Sequence, residues 1–327
     1  MNKPKSYPIV ECVLNISEGR DKKVLKEISD ICAITESSEL LHMDSGYDTN
    51  RTVLTLVAKL DPMFSLLVRI IEYAIEHLDI HRHQGFHPRI GILDVIPFIP
   101  LSNITSAQLR EEVKSFSQHI GQKYGLPIFY YGSLSPSGKR ALHDLRGKGL
   151  LGLKESIGNA IMSDAGPQMP HDRLGASCIT VRDFMLAYNI NLDTNDLMIA
   201  KKIAHDLIAL RESLTQRSSL DIRDVKFLGW STPEYGCCQI STNIYDIEKV
   251  TMTELYQLVS EIAAIYDIAV TGSELIGLSP MNGITRDTSK LTEAAEMLGL
   301  DSVRAFDINT HVLEHRLSRL SLTDSTT

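Results

Sequence analysis

The chain has little cysteine, a single tryptophan and no long apolar run. No stretch approaches the roughly 20 apolar residues of a membrane-spanning helix, so no span is expected. The opening MNKPKSYPIV lacks the apolar core of a secretory signal. The five cysteines, Cys12, Cys32, Cys178, Cys237 and Cys238, are scattered and form no CxxC pair. That disfavours a disulfide framework or zinc knuckle and fits a reducing cytoplasm. Cys237 and Cys238 would point to opposite faces of a strand, which suits packing rather than a redox pair. The lone Trp230 is expected in a core. Positive charge is also scarce: 33 Lys and Arg stand against 41 Asp and Glu, a net charge of −8. A general attraction to nucleic acid is therefore not expected. Neither a Walker A pattern nor GxGxxG occurs, which disfavours nucleotide chemistry.

What is present is an ordinary globular composition, 43% hydrophobic and 23% charged. Its length suggests two domains or one large one. Pro8 to Ile16 reads as a strand, and Asp21 as the cap of a helix carrying Val24, Leu25, Ile28 and Ile31 at the helical period. Glu39 to Met43 is a short strand expected to stop at Asp44-Ser45-Gly46. Arg51 to Leu60 alternates as the next strand, and Asp61-Pro62 opens a second helix. Ile90 to Ile99 reads as a strand that Pro97 ends or confines to a sheet edge. Thr105 to Gln108 is a capping box for a helix closed by Gly125. Pro127 to Tyr131 is a strand, and Ser133 to Ser163 is less regular. Asp164 to Gly175 is a Gly/Pro loop and a candidate junction. Ala176 to Leu192 carries one long strand pattern. A helix over Asn195 to Leu214 follows, then a strand pair, Val225 to Trp230 and Cys237 to Ile244. Thr251-x-x-Glu254 caps a helix with Leu255, Leu258, Val259, Ile262 and Ile265 inward, and Ile268 to Leu278 is a strand. There is no sequence repeat. Both halves nevertheless mix strands and amphipathic helices in short-loop order, which points to two α+β layers. A cleft between such layers is a usual place for a ligand.

The stretch that organises the chain is His81 to Pro100, HRHQGFHPRIGILDVIPFIP. Three histidines in seven residues lie on a loop at the mouth of an apolar strand. Pro88 restricts His87 to extended geometry, so that side chain is pinned. Two functional readings stay open beside that of plain surface histidines. His81, His83 and His87 could ligate a metal, although no glutamate stands at a helical HExxH spacing and no cysteine is nearby. Alternatively His87 is a lone general acid–base, since an imidazole of pKa ~6.5 takes and returns a proton near neutrality. Asp44 and Asp48 could orient an imidazole or hold a cationic substrate, or simply make a turn. Arg51 and Arg89 adjoin the same loops and offer planar forks suited to carboxylates, or are solvated charges.

Several stretches, in order, resemble the glutamate formimidoyltransferase family, the formiminotransferase half of formimidoyltransferase-cyclodeaminase. They are Val10-Glu11-Cys12-Val13 with Asn15-x-Ser17-Glu18-Gly19, then Asp44-Ser45-Gly46 with Thr49-Asn50-Arg51-Thr52. His83-x-Gly85-x-His87-Pro88-Arg89 and Leu93-Asp94-Val95-x-Pro97-Phe98-Ile99-Pro100 follow. Ala187 to Leu192, Gly229-Trp230, Gln239 to Asn243 and Gly272 to Leu278 complete the set. The resemblance implies two ferredoxin-like α/β sandwich subdomains, at residues 1–178 and 179–327, with a ligand cleft between them. It implies transfer of a formimino group from N-formimidoyl-L-glutamate to tetrahydrofolate as co-substrate, in histidine degradation and one-carbon metabolism. No metal, nucleic acid or membrane partner is implied, and a homodimer is. His87 and Asp44 stand at the family's catalytic positions. Arg51 and Arg89 fall in its motifs, and Gly166, Pro167 and Gly175 stand in its folate loop. Departures are Phe86, where several members have Glu, Leu14 in place of Pro, and the divergent Gln168 to Leu174. These motivate a rival, a folate-binding homologue with altered catalysis. The sequence stops at Thr327, so cyclisation of the product is expected of another protein.

Overall fold

Alternation and helical period cooperate twice along the chain to build the same arrangement. The computed structural model describes residues 7–147, 149–213 and 220–317. Strand β1 (Ile9–Ile16) sends Val10, Cys12, Leu14 and Ile16 into one core, as the two-residue period of a strand requires. Asp21 caps helix α1 (Lys22–Ala33) by accepting from the Lys23 and Val24 N–H groups. Strands β2 (Ser38–Gly46) and β3 (Arg51–Lys59) form a hairpin. Helix α2 (Leu60–His77) buries Met63, Leu66, Leu67, Ile70, Ile71 and Ala74 on one stripe. Strand β4 (Leu93–Ser102) returns beside β1. The order β2-β3-β1-β4, antiparallel throughout, is the ferredoxin-like βαββαβ sandwich.

This first unit carries an extension. Helix α3 (Ser106–Tyr124) starts at a Thr105/Gln108 capping box and ends at Gly125 in the left-handed region. It leads to β5 (Ile128–Tyr130), and β6 (Ser177–Val181) then inserts between β4 and β5, parallel to both. Between β5 and β6 run two short helices, α4 (Leu142–Arg146) and α5 (Gly149–Ser156). Leu145, Leu153 and Ile157 from this segment build a second small core with Phe129 and Cys178.

The second unit repeats the plan. Strand β7 (Leu186–Leu192), helix α6 (Leu197–Ser213), strands β8 (Val225–Thr232) and β9 (Cys237–Ile244), helix α7 (Met252–Ala264) and strand β10 (Val270–Ile276) follow in order. The sheet order β10-β7-β9-β8 is again antiparallel throughout.

Several expectations are corrected. Ala176 to Leu192 is not one strand: it breaks at Arg182–Met185, and its halves belong to different sheets. Among the described residues the chain forms two compact units that divide between Asp183 and Phe184, so β6 lies whole in the first. Strand β2 does not stop before Asp44, since Asp44, Ser45 and Gly46 pair with Val53, Thr52 and Arg51. Strand β4 is central despite Pro97. Its pairing with β1 lapses at Ile96 and Pro97, so the missing N–H leaves no acceptor stranded. Trp230 is half-buried rather than core, its Nε1 donating to Gln239 Oε1 at 3.1 Å. Ile265 is exposed, beyond the last turn of α7.

Candidate active site

Three loops meet at one end of the first sheet: the β1–α1 loop, the β2–β3 turn and the loop from α2 to β4. Asn50 ties them together. Its backbone is left-handed, with φ of 46°, a conformation Asn tolerates better than most residues. Its Oδ1 accepts from Gly19 N–H at 2.8 Å, and its Nδ2 donates to Gln84 O at 2.9 Å. His83 Nε2 donates to the Asn50 carbonyl at 2.6 Å. Gly85 lies so close to the β2–β3 turn that a Cβ would stand 2.2 Å from Thr49 O. The histidine loop is therefore held against that turn by contacts that leave no room for slippage.

Beneath this loop lies a buried ion cluster. Asp94 is wholly buried, in a strand that is apolar but for Asp94 itself and the exposed terminal Ser102. Its Oδ2 accepts from Arg51 Nη1 at 2.8 Å and from Arg146 Nη1 at 2.9 Å, and its Oδ1 accepts from Ile90 N–H at 2.8 Å. Burial opposes ionisation of Asp94, but the two guanidinium groups and the Ile90 N–H outweigh it and hold the carboxyl below its usual range. Arg51 Nε is anchored on Asn15 Oδ1 at 3.1 Å. The neighbouring Cys178 thiol is pushed up by burial and by Asp94, so it stays protonated.

His87 stands over this cluster. Its Nδ1 lies 2.8 Å from the carbonyl of Pro88. A carbonyl only accepts, so Nδ1 carries the proton and Nε2 keeps its lone pair. Arg146 Nη1 reaches the same Pro88 carbonyl at 3.4 Å. Burial of the ring, then Arg51 and Arg146, lower the imidazole pKa to about 3, against the opposing pull of Asp94. The resting histidine is a neutral base, not the half-protonated group that an ordinary pKa implies.

The other candidates fall in different places. Arg89 turns inward: Nη1 donates to Gly85 O and His87 O, and Nη2 to His83 O, at 2.9 to 3.2 Å. It clamps its own loop. Asp44 is buried on β2, opposite Val53, while the carboxylate beneath His87 is Asp94. Gly175 pairs with Gly91 and Leu174 O accepts from Ile92 N–H at 2.8 Å, so the Gly/Pro loop is zipped to the histidine loop. At φ of 73° Gly175 presses on Ile90 O, 2.3 Å from where a Cβ would sit. Gly166 and Pro167 turn their carbonyls to Ser163 Oγ, at 3.4 and 3.0 Å. His81 is exposed and His83 is tied to Asn50. Among the described residues no group of three His, Cys, Asp or Glu is placed to hold a metal, and no helix is long and apolar enough to cross a membrane.

Comparison with known sequences settles the family. The profile described as "Formiminotransferase domain, N-terminal subdomain" matches residues 9–182, and "Formiminotransferase domain" matches residues 187–289. The chain belongs to the formiminotransferase family. Formimidoyltransferase-cyclodeaminase of Sus scrofa is 31% identical over 324 residues, covering 94% of this chain and 59% of that protein. Glutamate formimidoyltransferase of Thermoplasma acidophilum is 33% identical over 276 residues, covering 83% of this chain and 88% of that protein. The Streptococcus pyogenes glutamate formimidoyltransferase is 29% identical over 311 residues, covering 94% and 98%. The chain spans about three fifths of the cyclodeaminase-type relatives it matches. In the sequence, His87 and Arg51 stand out by their motifs, while nothing gives a role to Asp94 or Arg146. Asp94 had a signal, a lone carboxylate inside an apolar strand, which is rare unless paired. Arg146 had none, because a basic residue on a short helix looks like any surface charge.

Proposed function

We infer that this chain is a glutamate formimidoyltransferase, moving the formimidoyl group of N-formimidoyl-L-glutamate to N5 of tetrahydrofolate. The observation that carries the reading is the His87 imidazole, its Nδ1 held 2.8 Å from the Pro88 carbonyl, beside the cluster of Arg51, Asp94 and Arg146. N5 attacks the formimidoyl carbon and a tetrahedral centre forms. His87 Nε2 takes the proton that N5 loses and returns it to the glutamate nitrogen. The carbon–nitrogen bond to glutamate then breaks. Such a shuttle contributes ~10²–10⁴-fold, and alignment of the two reactants supplies much of the rest. Asp44 holds the cationic amidine, and Arg51 receives a substrate carboxylate. Arg89 keeps the His87 loop in shape. The loop through Gly166, Pro167 and Gly175 receives the folate. Cytoplasmic residence, a homodimer and a place in histidine degradation belong to the same reading and follow from the family resemblance.

The test mixes purified protein with N-formimidoyl-L-glutamate and tetrahydrofolate and follows 5-formimidoyl-tetrahydrofolate. Product from the wild type, with a loss of ~10²–10⁴-fold in His87→Ala and folate binding retained, is the expected result. Folate binding without turnover in the wild type would favour a folate-binding homologue. Phe86, 78% exposed beside His87, would then be the first residue to replace.

A further inference from the structure

The cluster under His87 does not balance. Arg51 and Arg146 bring two positive charges and Asp94 one negative, and both guanidinium groups meet the same carboxylate oxygen. Asp94 is fully buried, and the Arg51 and Arg146 side chains are only 7% and 16% exposed. A net positive charge held this far from water is costly unless an anion meets it. Hydrogen-bonding capacity is left over as well. Among the described residues Arg51 uses Nε and Nη1, on Asn15 and Asp94. Arg146 uses Nη1 alone, and its buried Nε has no partner. Arg89 does not answer this need, being itself a cation with donors only, and its terminal nitrogens serve loop carbonyls.

We propose that Arg51 and Arg146 together receive a substrate carboxylate, and that this anion completes a site left with one uncompensated positive charge. Arg146 is thereby assigned as a specificity residue. The identity of the anion as a glutamyl carboxylate rests on the function proposed above, while the existence of the anion site does not. Two guanidinium forks that share one carboxylate oxygen keep further N–H groups for a second anion, and the planar fork is the chemistry that suits a carboxylate. One consequence reaches His87. The charged groups facing it are Arg51, Arg146 and Asp94. Burial of the ring is the first cause of its low basicity and the two guanidinium charges come next; a second carboxylate on the arginines offsets that second contribution and so raises the imidazole pKa.

The experiment uses the full chain and the inert dicarboxylate N-acetyl-L-glutamate. The wild type binds it, and the His87 imidazole pKa, followed by NMR, rises by at least one unit on saturation. Arg146→Gln weakens binding at least tenfold and abolishes that rise. Arg146→Lys, which keeps the charge and loses the fork, falls between. The neutral diamide of the probe does not distinguish wild type from Arg146→Gln. If Arg146→Gln instead weakens only 5-formyl-tetrahydrofolate, and not the same pterin without its glutamyl tail, the site stands and its carboxylate is the folate's. Wild-type affinity for both probes in a folded Arg146→Gln overturns the proposal. So does an unmoved His87 pKa in the saturated wild type, a measurement that needs no variant to fold. A wild type that binds the dicarboxylate through Arg146 yet transfers no formimidoyl group keeps this site and removes the function proposed above.

Discussion

His83 and Asn50 lock two loops together: the imidazole Nε2 donates to the Asn50 carbonyl at 2.6 Å, while the Asn50 side chain reaches back to Gln84 O at 2.9 Å. The catalytic candidate His87 lies four residues beyond His83, so its position depends on this reciprocal grip. Asn50→Ala removes the bonds to Gly19 and Gln84 and forces alanine into a left-handed backbone. The expected loss of stability is about 2–4 kcal/mol, read from urea unfolding. Faster hydrogen exchange across residues 83–89 and a fall in kcat/KM should accompany it. Unchanged exchange there would show that the grip does not hold the loop.

Removing the charge of Asp94 should be among the most damaging single changes. Asp94→Asn leaves two guanidinium groups facing each other in a buried site, and breaking a buried ion cluster in this way costs about 3–5 kcal/mol. The double variant Asp94→Asn with Arg146→Gln should recover part of that loss, because one unpaired cation is gone. A double-mutant cycle on unfolding midpoints measures the coupling. Strict additivity would mean that Arg146 and Asp94 are not energetically linked, despite the 2.9 Å contact.

Local signals were readable in the sequence and distant ones were not. The caps at Asp21, Thr105 and Thr251 depend on neighbours three residues away, and all form as expected. The amphipathic period of α2 was plain for the same reason. Strand partners are another matter. The centrality of β4 despite Pro97 depends on where pairing with β1 lapses, and the break at Arg182–Met185 depends on two sheets claiming adjacent segments. The site shows the same division. His87 and Arg51 stand out by motif, but the role of Arg89 is set by three carbonyls of a folded loop. Arg146 meets Asp94 only because α4 packs back across 52 residues of chain.

The lowered pKa of His87 fixes the direction of two pH effects. In the free protein the ring stays neutral down to about pH 3, whereas an unfolded chain protonates it near ~6.5. Between those values the unfolded state binds the extra proton. The His87 contribution to stability is therefore complete above ~6.5 and is lost as pH falls toward 3. His87→Gln should flatten that slope in unfolding measurements. In kinetics, kcat/KM reports the free enzyme, so no acid limb near 6.5 should arise from His87. A limb there that vanishes in His87→Gln would show that the ring titrates normally.

Glu11 offers the opposite slope. It lies on β1 with its side chain 4% exposed, on the face away from Cys12 and Leu14, and its Oε2 has no hydrogen-bond partner. Burial raises its pKa to about 7, although the charge of Arg182 pulls it down. The folded state thus holds a proton that the unfolded state releases above ~4.3. Stability attributable to Glu11 is complete below that value and declines as pH rises through 7. Glu11→Gln keeps the shape, supplies a neutral amide and removes the cost of ionisation. It should raise stability at pH 8 by an amount of the order of 3 kcal/mol and change little at pH 4. Chemical unfolding at the two pH values decides the point. Equal effects at both would mean that the carboxylate is already ionised at the lower pH, and that a buried partner for Oε2 forms in solution.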